Sequence, residues 1–264
     1  MRRFIGVNLF CLLLVLAHNA FALPENAKEV FIVTPSGERI DLASEPFNKL
    51  ESQWTKVTRI DPNSKTEHVY EGYFLKDFLK FFKEQFNLKR VDHMVTEAKD
   101  GYKVIFDKKA IEDKDAFIAL NVQGVPEKGL FNQFLKSHFN WQPAYIIATG
   151  EKDIVFSPYQ VKSIIVSERR LANPKMVKVA APLQKGAEVF VKTCSKCHRY
   201  KGFGGKKAPN MKFMMRRWRL KSDEQLKKFL RSPQDVLNRK IQMSAFNGTD
   251  AQLDSLVKFL RSVK

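Results

Sequence analysis

Cysteine is nearly absent from this 264-residue chain, which has only Cys11, Cys194 and Cys197. Residues 23–193 contain none, so that stretch has no thiolate to hold a metal. Residues 199–264 contain neither cysteine nor histidine. A local four-ligand zinc site around Cys194 and Cys197 is therefore excluded. Acidic residues are scarce toward the carboxy end, where residues 181–264 hold 20 Lys and Arg against 6 Asp and Glu. Residues 23–180 are nearly balanced, at 24 against 22. Such an asymmetry is most simply two domains. No phosphate-binding loop, metal-spaced cluster or Ser/His/Asp order stands out in residues 30–180.

The amino-terminal segment reads as an address. Arg2 and Arg3 precede an apolar run from Phe4 to Ala17, and Ala20-Phe21-Ala22 forms a small-x-small cleavage site. The run is short for a membrane span, although an uncleaved anchor is the alternative on the same count. The expectation is a signal peptide over 1–22 and an exported, periplasmic chain beginning at Leu23. Cys194 and Cys197 are then its only two cysteines.

Cys194-Ser195-Lys196-Cys197-His198 is the stretch that carries chemistry. Two cysteines three apart lie on one face of a helical turn, where each sulfur can form a thioether with one vinyl group of a porphyrin. A histidine directly after them is placed to meet the iron, so the spacing reads as attachment of one covalent haem c. A redox dithiol would not explain the adjoining histidine.

From Leu183 onward the chain resembles class I cytochromes c. Gly186-Ala187-Glu188-Val189-Phe190 stands where that family has its first helix, and Leu256, Phe259 and Leu260 where the last helix crosses it. Thr249 with Gln252, and Ser222 with Gln225, are capping boxes for helices over 249–263 and 222–230. Ala208-Pro209-Asn210-Met211 is similar to the family's Gly-Pro-Asn-Leu segment, which implies that the Pro209 carbonyl orients His198. Ile241-Gln242-Met243-Ser244-Ala245-Phe246 resembles its Met-Pro-Ala-Phe loop, with Ser244 in place of proline. The resemblance implies Met243 as the sixth iron ligand, with Met214 and Met215 next in line and Met211 as core.

Residues 23–173 read as an α+β domain with a mostly antiparallel sheet, joined by a 174–182 linker to an all-α haem domain over 183–264. Strand signals lie at Val30–Val33, Val104–Phe106, Phe117–Leu120, Tyr145–Ile147, Asp153–Phe156 and Ser163–Val166. Phe74, Leu75, Phe78, Leu79, Phe82 and Phe86 recur at helical spacing. Asp100-Gly101 and Thr149-Gly150-Glu151-Lys152 read as turns. Leu171-Ala172-Asn173-Pro174 and Ala180-Ala181-Pro182 punctuate the linker. Val69–Leu79, Ala98–Tyr102 and Ala116–Ala119 are similar to the molybdopterin-binding domain of sulfite-oxidase-like enzymes. That family holds molybdenum through a cysteine, which this stretch lacks, so a docking or small-ligand module is the expectation. His68, His93 and His138 are read as surface or core histidines, and Trp54 and Trp141 as packing residues.

A haem iron held on both sides exchanges single electrons, which makes an electron carrier the leading expectation. The alternative is an oxidoreductase unit whose amino-terminal domain binds substrate or cofactor. A haem sensor is a third class and requires an open sixth position. Lys206, Lys207, Lys212, Arg216, Arg217, Arg219, Lys221, Lys227 and Lys228 are expected around the haem crevice, facing an acidic redox partner. Anionic lipid is a further option for that charge, and nucleic acid is not expected for an exported chain.

Overall fold

The computed structural model describes residues 23–91, 93–107, 116–126, 129–132, 136–147, 157–167, 179–218, 221–238 and 243–263. The address segment, the strand expected at 153–156, the turn at 149–152, residues 168–173 and residues 174–178 of the linker lie outside the described residues.

The amino-terminal region is built on two sheets. The first runs β2 (Arg39–Asp41), β1 (Phe31–Val33), β11 (Val161–Ser167), β5 (His93–Ala98), β6 (Lys103–Asp107). The second runs β10 (Tyr145–Ile147), β7 (Phe117–Val122), β4 (Glu67–Phe74), β3 (Thr55–Ile60). Every pairing in them is antiparallel except β1 with β11, and a small hairpin joins β8 (Leu130–Asn132) to β9 (Ser137–Phe139).

The second sheet is apolar on both faces, which is why Phe117–Leu120 is a continuous apolar run and not an alternating one. Tyr73, Ile118, Leu120 and Ile146 enter a core that they share with Ile32, Met94, Phe106 and Ile164 of the first sheet. Tyr70, Phe117, Ala119, Tyr145 and Ile147 face a second cluster closed by Leu130, Phe139 and Trp141. Helix α1 (Leu75–Gln85) covers the first core through Leu75, Phe78, Leu79 and Phe82. Phe78 and Phe82 stack on Phe47 of a 3-10 helix over Phe47–Gln53, with ring centroids 6.0 and 6.2 Å apart. Phe74 closes β4, so the helix starts one residue later than the phenylalanine spacing alone indicates.

The carboxy-terminal region is helical. Helix α2 (Gln184–Val189) runs into a wide π-type turn over Phe190–Cys194. Then follow α3 (Met211–Trp218), α4 (Asp223–Arg231), α5 (Pro233–Leu237) and α6 (Asp250–Arg261). Both capping boxes form, Ser222 with Gln225 before α4 and Thr249 with Gln252 before α6. Helices α2 and α6 cross at Gly186, where a Cβ would stand 1.9 Å from the Ser255 carbonyl oxygen. Only glycine permits that approach. Phe190, Tyr200 and Phe259 fill the crossing, with centroids 5.4 to 6.2 Å apart. The molecule therefore has two regions of different character, a mainly antiparallel α+β one and a helical one. No described helix is long and apolar enough to cross a membrane.

Candidate cofactor site

The attachment sequence occupies one turn. The Ser195 amide reaches back to the Phe190 carbonyl at 2.9 Å, the wide-turn bond, and the Cys197 and His198 amides donate to the Cys194 carbonyl at 3.2 and 2.9 Å. Wide turns of this type are frequent at functional sites. The chain then folds back over the turn. Gly205 donates to the Ser195 carbonyl at 2.7 Å, Ala208 to that of Cys197 at 3.0 Å, and Met211 to that of Arg199 at 2.9 Å. This return places the Pro209 carbonyl 2.8 Å from His198 Nδ1.

With Nδ1–H engaged, the lone pair of His198 lies on Nε2. The side chain is buried, and burial holds the imidazole below its ordinary value despite the opposing bond to Pro209. Metal binding needs the neutral imidazole, and burial shifts the ring in that direction. Cys194 and Cys197 form no disulfide with each other. Burial pushes Cys194 up to about 11 and Cys197 in the same direction. A redox dithiol needs a lowered thiol pKa, so these values oppose that reading.

Cys194, Cys197, His198, Pro209 and Met243 all line a single cavity of about 1610 Å³. That exceeds the roughly 300–1,000 Å³ usual for small-molecule pockets and suits a large planar group. The lining is mainly apolar, with Val189, Phe213, Trp218, Phe229, Leu230, Val236 and Leu256 around the donors. The donor set fits a covalently held haem, with two sulfurs, one free imidazole nitrogen and a thioether in an apolar recess.

The cavity separates the four methionines. Met214 and Met243 line it, whereas Met211 and Met215 are buried elsewhere in the helical core. None of His68, His93 and His138 is at the cavity: His68 contacts Thr66 Oγ1 at 2.7 Å, His93 is buried on β5, and His138 packs on Phe131. Trp141 is core and Trp54 meets Tyr73 edge-on at 5.3 Å. Of the expected basic rim, Lys207, Arg217, Lys221 and Lys228 line the cavity, while Lys206, Lys212, Arg216 and Lys227 do not and Arg219 lies outside the described residues. Lys207 and Lys227 are engaged with Asp100 and Asp254 at 2.7 Å.

Sequence reasoning missed two contributors. Arg231 donates to the carbonyls of Phe246 and Gly248 at 2.7 and 2.6 Å and pairs with Asp250 at 2.7 Å. It thereby ties down the segment that follows Met243. Its signal was present, an arginine ending a capped helix just ahead of that loop, but its target was not legible. Tyr102, from the other region, also lines the cavity, and no local pattern could have pointed to it.

A search of curated proteins found no match to this chain. Residues 183–264 match the family model Cytochrome c. That family implies covalently bound haem c and haem-based electron transfer, and the match extends over the whole helical region that builds the cavity. Cavity, donors and family match together are those of a c-type cytochrome domain at the carboxy end of a two-domain chain.

Proposed function

We propose that this protein is an exported, periplasmic electron carrier with one haem c joined to Cys194 and Cys197 and ligated by His198 and Met243. The observation that carries the reading is the convergence of these four residues on one cavity, with His198 Nδ1 tied to Pro209 at 2.8 Å. A haem held this way supplies reversible one-electron chemistry at iron. The chain supplies the rest. His198 is fixed in ring orientation and tautomer, the apolar walls exclude water, and the Arg231 clasp restrains the Met243 segment. A thioether opposite an imidazole favours the ferrous state relative to two imidazoles, so a comparatively high potential is expected.

The basic surface supports an acidic redox protein as partner. Arg217, Lys221 and Lys228 at the cavity would steer such a partner, and the encounter rate would fall as salt rises. A second reading, an oxidoreductase unit fed by its amino-terminal domain, draws on the presence of Tyr102 in the cavity wall.

The test is to extract purified mature protein with acid and acetone. Pigment retained on the polypeptide, and lost in Cys194→Ala with Cys197→Ala, is the expected result. A colourless chain after correct export would remove the proposal. Added candidate substrates that reduce the pigment without any partner protein would favour the oxidoreductase reading.

A further inference from the structure

The turn between β5 and β6 is seated on the haem-attachment segment by main-chain bonds. Lys103 N donates to the Lys196 carbonyl at 2.9 Å, and Lys206 N donates to the Gly101 carbonyl at 2.9 Å. Lys196 lies between the two attachment cysteines, and Lys206 belongs to the segment that returns over them. Asp100 braces the contact from two sides. Its Oδ1 accepts from the Tyr102 amide at 2.9 Å and its Oδ2 pairs with Lys207 at 2.7 Å. Gly101 has φ +82°, and a Cβ there would stand 3.1 Å from Lys206 Cβ, so both backbone shape and closeness call for glycine.

Tyr102 is the residue this turn delivers. Its ring packs against the core of the amino-terminal region and also lines the cavity beside Cys197 and Lys207. The Lys207 ammonium sits 5.5 Å from the ring centroid. Burial raises the phenol above its ordinary value, as expected for a side chain facing the cavity and not solvent.

We infer that Tyr102 is a haem-contacting residue contributed by the amino-terminal domain, and that docking of the β5–β6 turn closes one side of the haem site. The inference rests on the haem reading above and gives that domain a role in it. The potential of a buried haem depends on solvent exposure, so whatever loosens the turn also shifts the potential and opens a haem edge. The amino-terminal domain is then a fixed wall and not a tethered neighbour.

The experiment uses the full-length holoprotein. Amide exchange reads the docking itself, with Lys103 and Lys206 expected to be protected in the wild type. Tyr102→Ala is expected to lower the midpoint potential, because water admitted beside the iron favours the more charged ferric form. It should also raise the rate of oxidation by ferricyanide at least threefold, whereas Tyr102→Phe stays near wild type on both counts. Should Tyr102→Ala fail to fold, Asp100→Asn removes the ion pair alone, with faster exchange at Lys206 and faster ferricyanide oxidation expected. A pigmented Tyr102→Ala protein with unchanged potential and unchanged ferricyanide rate overturns the inference and leaves the haem reading intact. Unprotected Lys103 and Lys206 amides in the wild type overturn it as well. Absence of covalent pigment from the wild type removes the haem reading first and this inference with it.

Discussion

His198 shows how much one main-chain acceptor can decide. Its bond to Pro209 selects the tautomer, and burial disfavours the charged ring, so Nε2 is the nitrogen that would meet an iron. On the other ligand the cavity narrows four methionines to Met243 and Met214, which makes a direct contest possible. Met243→Ala is expected to free an iron position, seen as ready uptake of carbon monoxide by the ferrous protein without denaturant. Met214→Ala is expected to leave uptake as slow as in the wild type. The reverse pattern would assign the ligand to α3. Away from the haem, Glu71 on β4 has its carboxyl held below the ordinary value of 4.5, chiefly by the Lys56 ammonium at 2.6 Å and then by Asn121. A depressed carboxylate stabilises the fold above that value and loses its contribution as pH falls through the lowered one. Glu71→Gln is therefore expected to flatten acid unfolding below about pH 4.5 when followed by circular dichroism.

Between elements, two devices hold the haem region in shape. The α2–α6 crossing depends on Gly186, whose missing Cβ admits the Ser255 carbonyl. Gly186→Val is expected to cost about 1–3 kcal/mol or more, since backbone on both helices would have to part. In a domain of this size that is a fall in Tm of roughly 4–8 °C per kcal/mol, measurable by thermal unfolding of the holoprotein. The second device is the clasp from α4 to the segment before α6. Arg231 reaches two carbonyls and Asp250 and lies over the Phe246 ring at 5.5 Å. It restrains a segment that has Ser244 where related loops have proline, so its stiffness comes from a side chain and not from a fixed φ. Arg231→Lys keeps the charge but loses the fork, and imidazole is expected to displace the methionine ligand more readily in that variant than in the wild type. Equal imidazole titrations would show the clasp to be dispensable.

Across the whole molecule, what could be read beforehand was what is local in sequence. Cys194 to His198 and the capping boxes are each set within one helical turn, where spacing alone fixes geometry, whereas the Pro209 acceptor and the Gly186 crossing followed from the resemblance to class I cytochromes c. The α+β character was legible from short β-branched and aromatic runs such as Phe117–Leu120. Strands β2, β3, β4, β5, β8 and β9 were not. Thr55–Ile60 is an edge strand with one half-exposed face, and His93–Ala98 mixes polar and apolar residues that only burial in the first sheet explains. Tyr102 was illegible for a different reason. Its partner lies in the other region, and the backbone bonds and the Asp100–Lys207 ion pair that bring them together join residues about a hundred positions apart, which no local pattern connects. Charge was legible in total but not in use, since Lys207 and Lys227 are engaged in ion pairs. The remaining basic side chains at the cavity would set the salt dependence of an encounter with an acidic partner. Electron-transfer rates with an acidic partner are expected to fall by about tenfold or more between low and physiological ionic strength, and a flat profile would dismiss electrostatic steering.

The bond from Lys103 to the Lys196 carbonyl also bears on maturation. If porphyrin is joined to Cys194 and Cys197, the peptide between them has to be accessible at that step, whereas in the folded protein its Lys196 carbonyl is engaged by Lys103. On the haem reading proposed above, thioether formation is expected to come while the β5–β6 turn is still disengaged, with the turn seating afterwards over the new linkage.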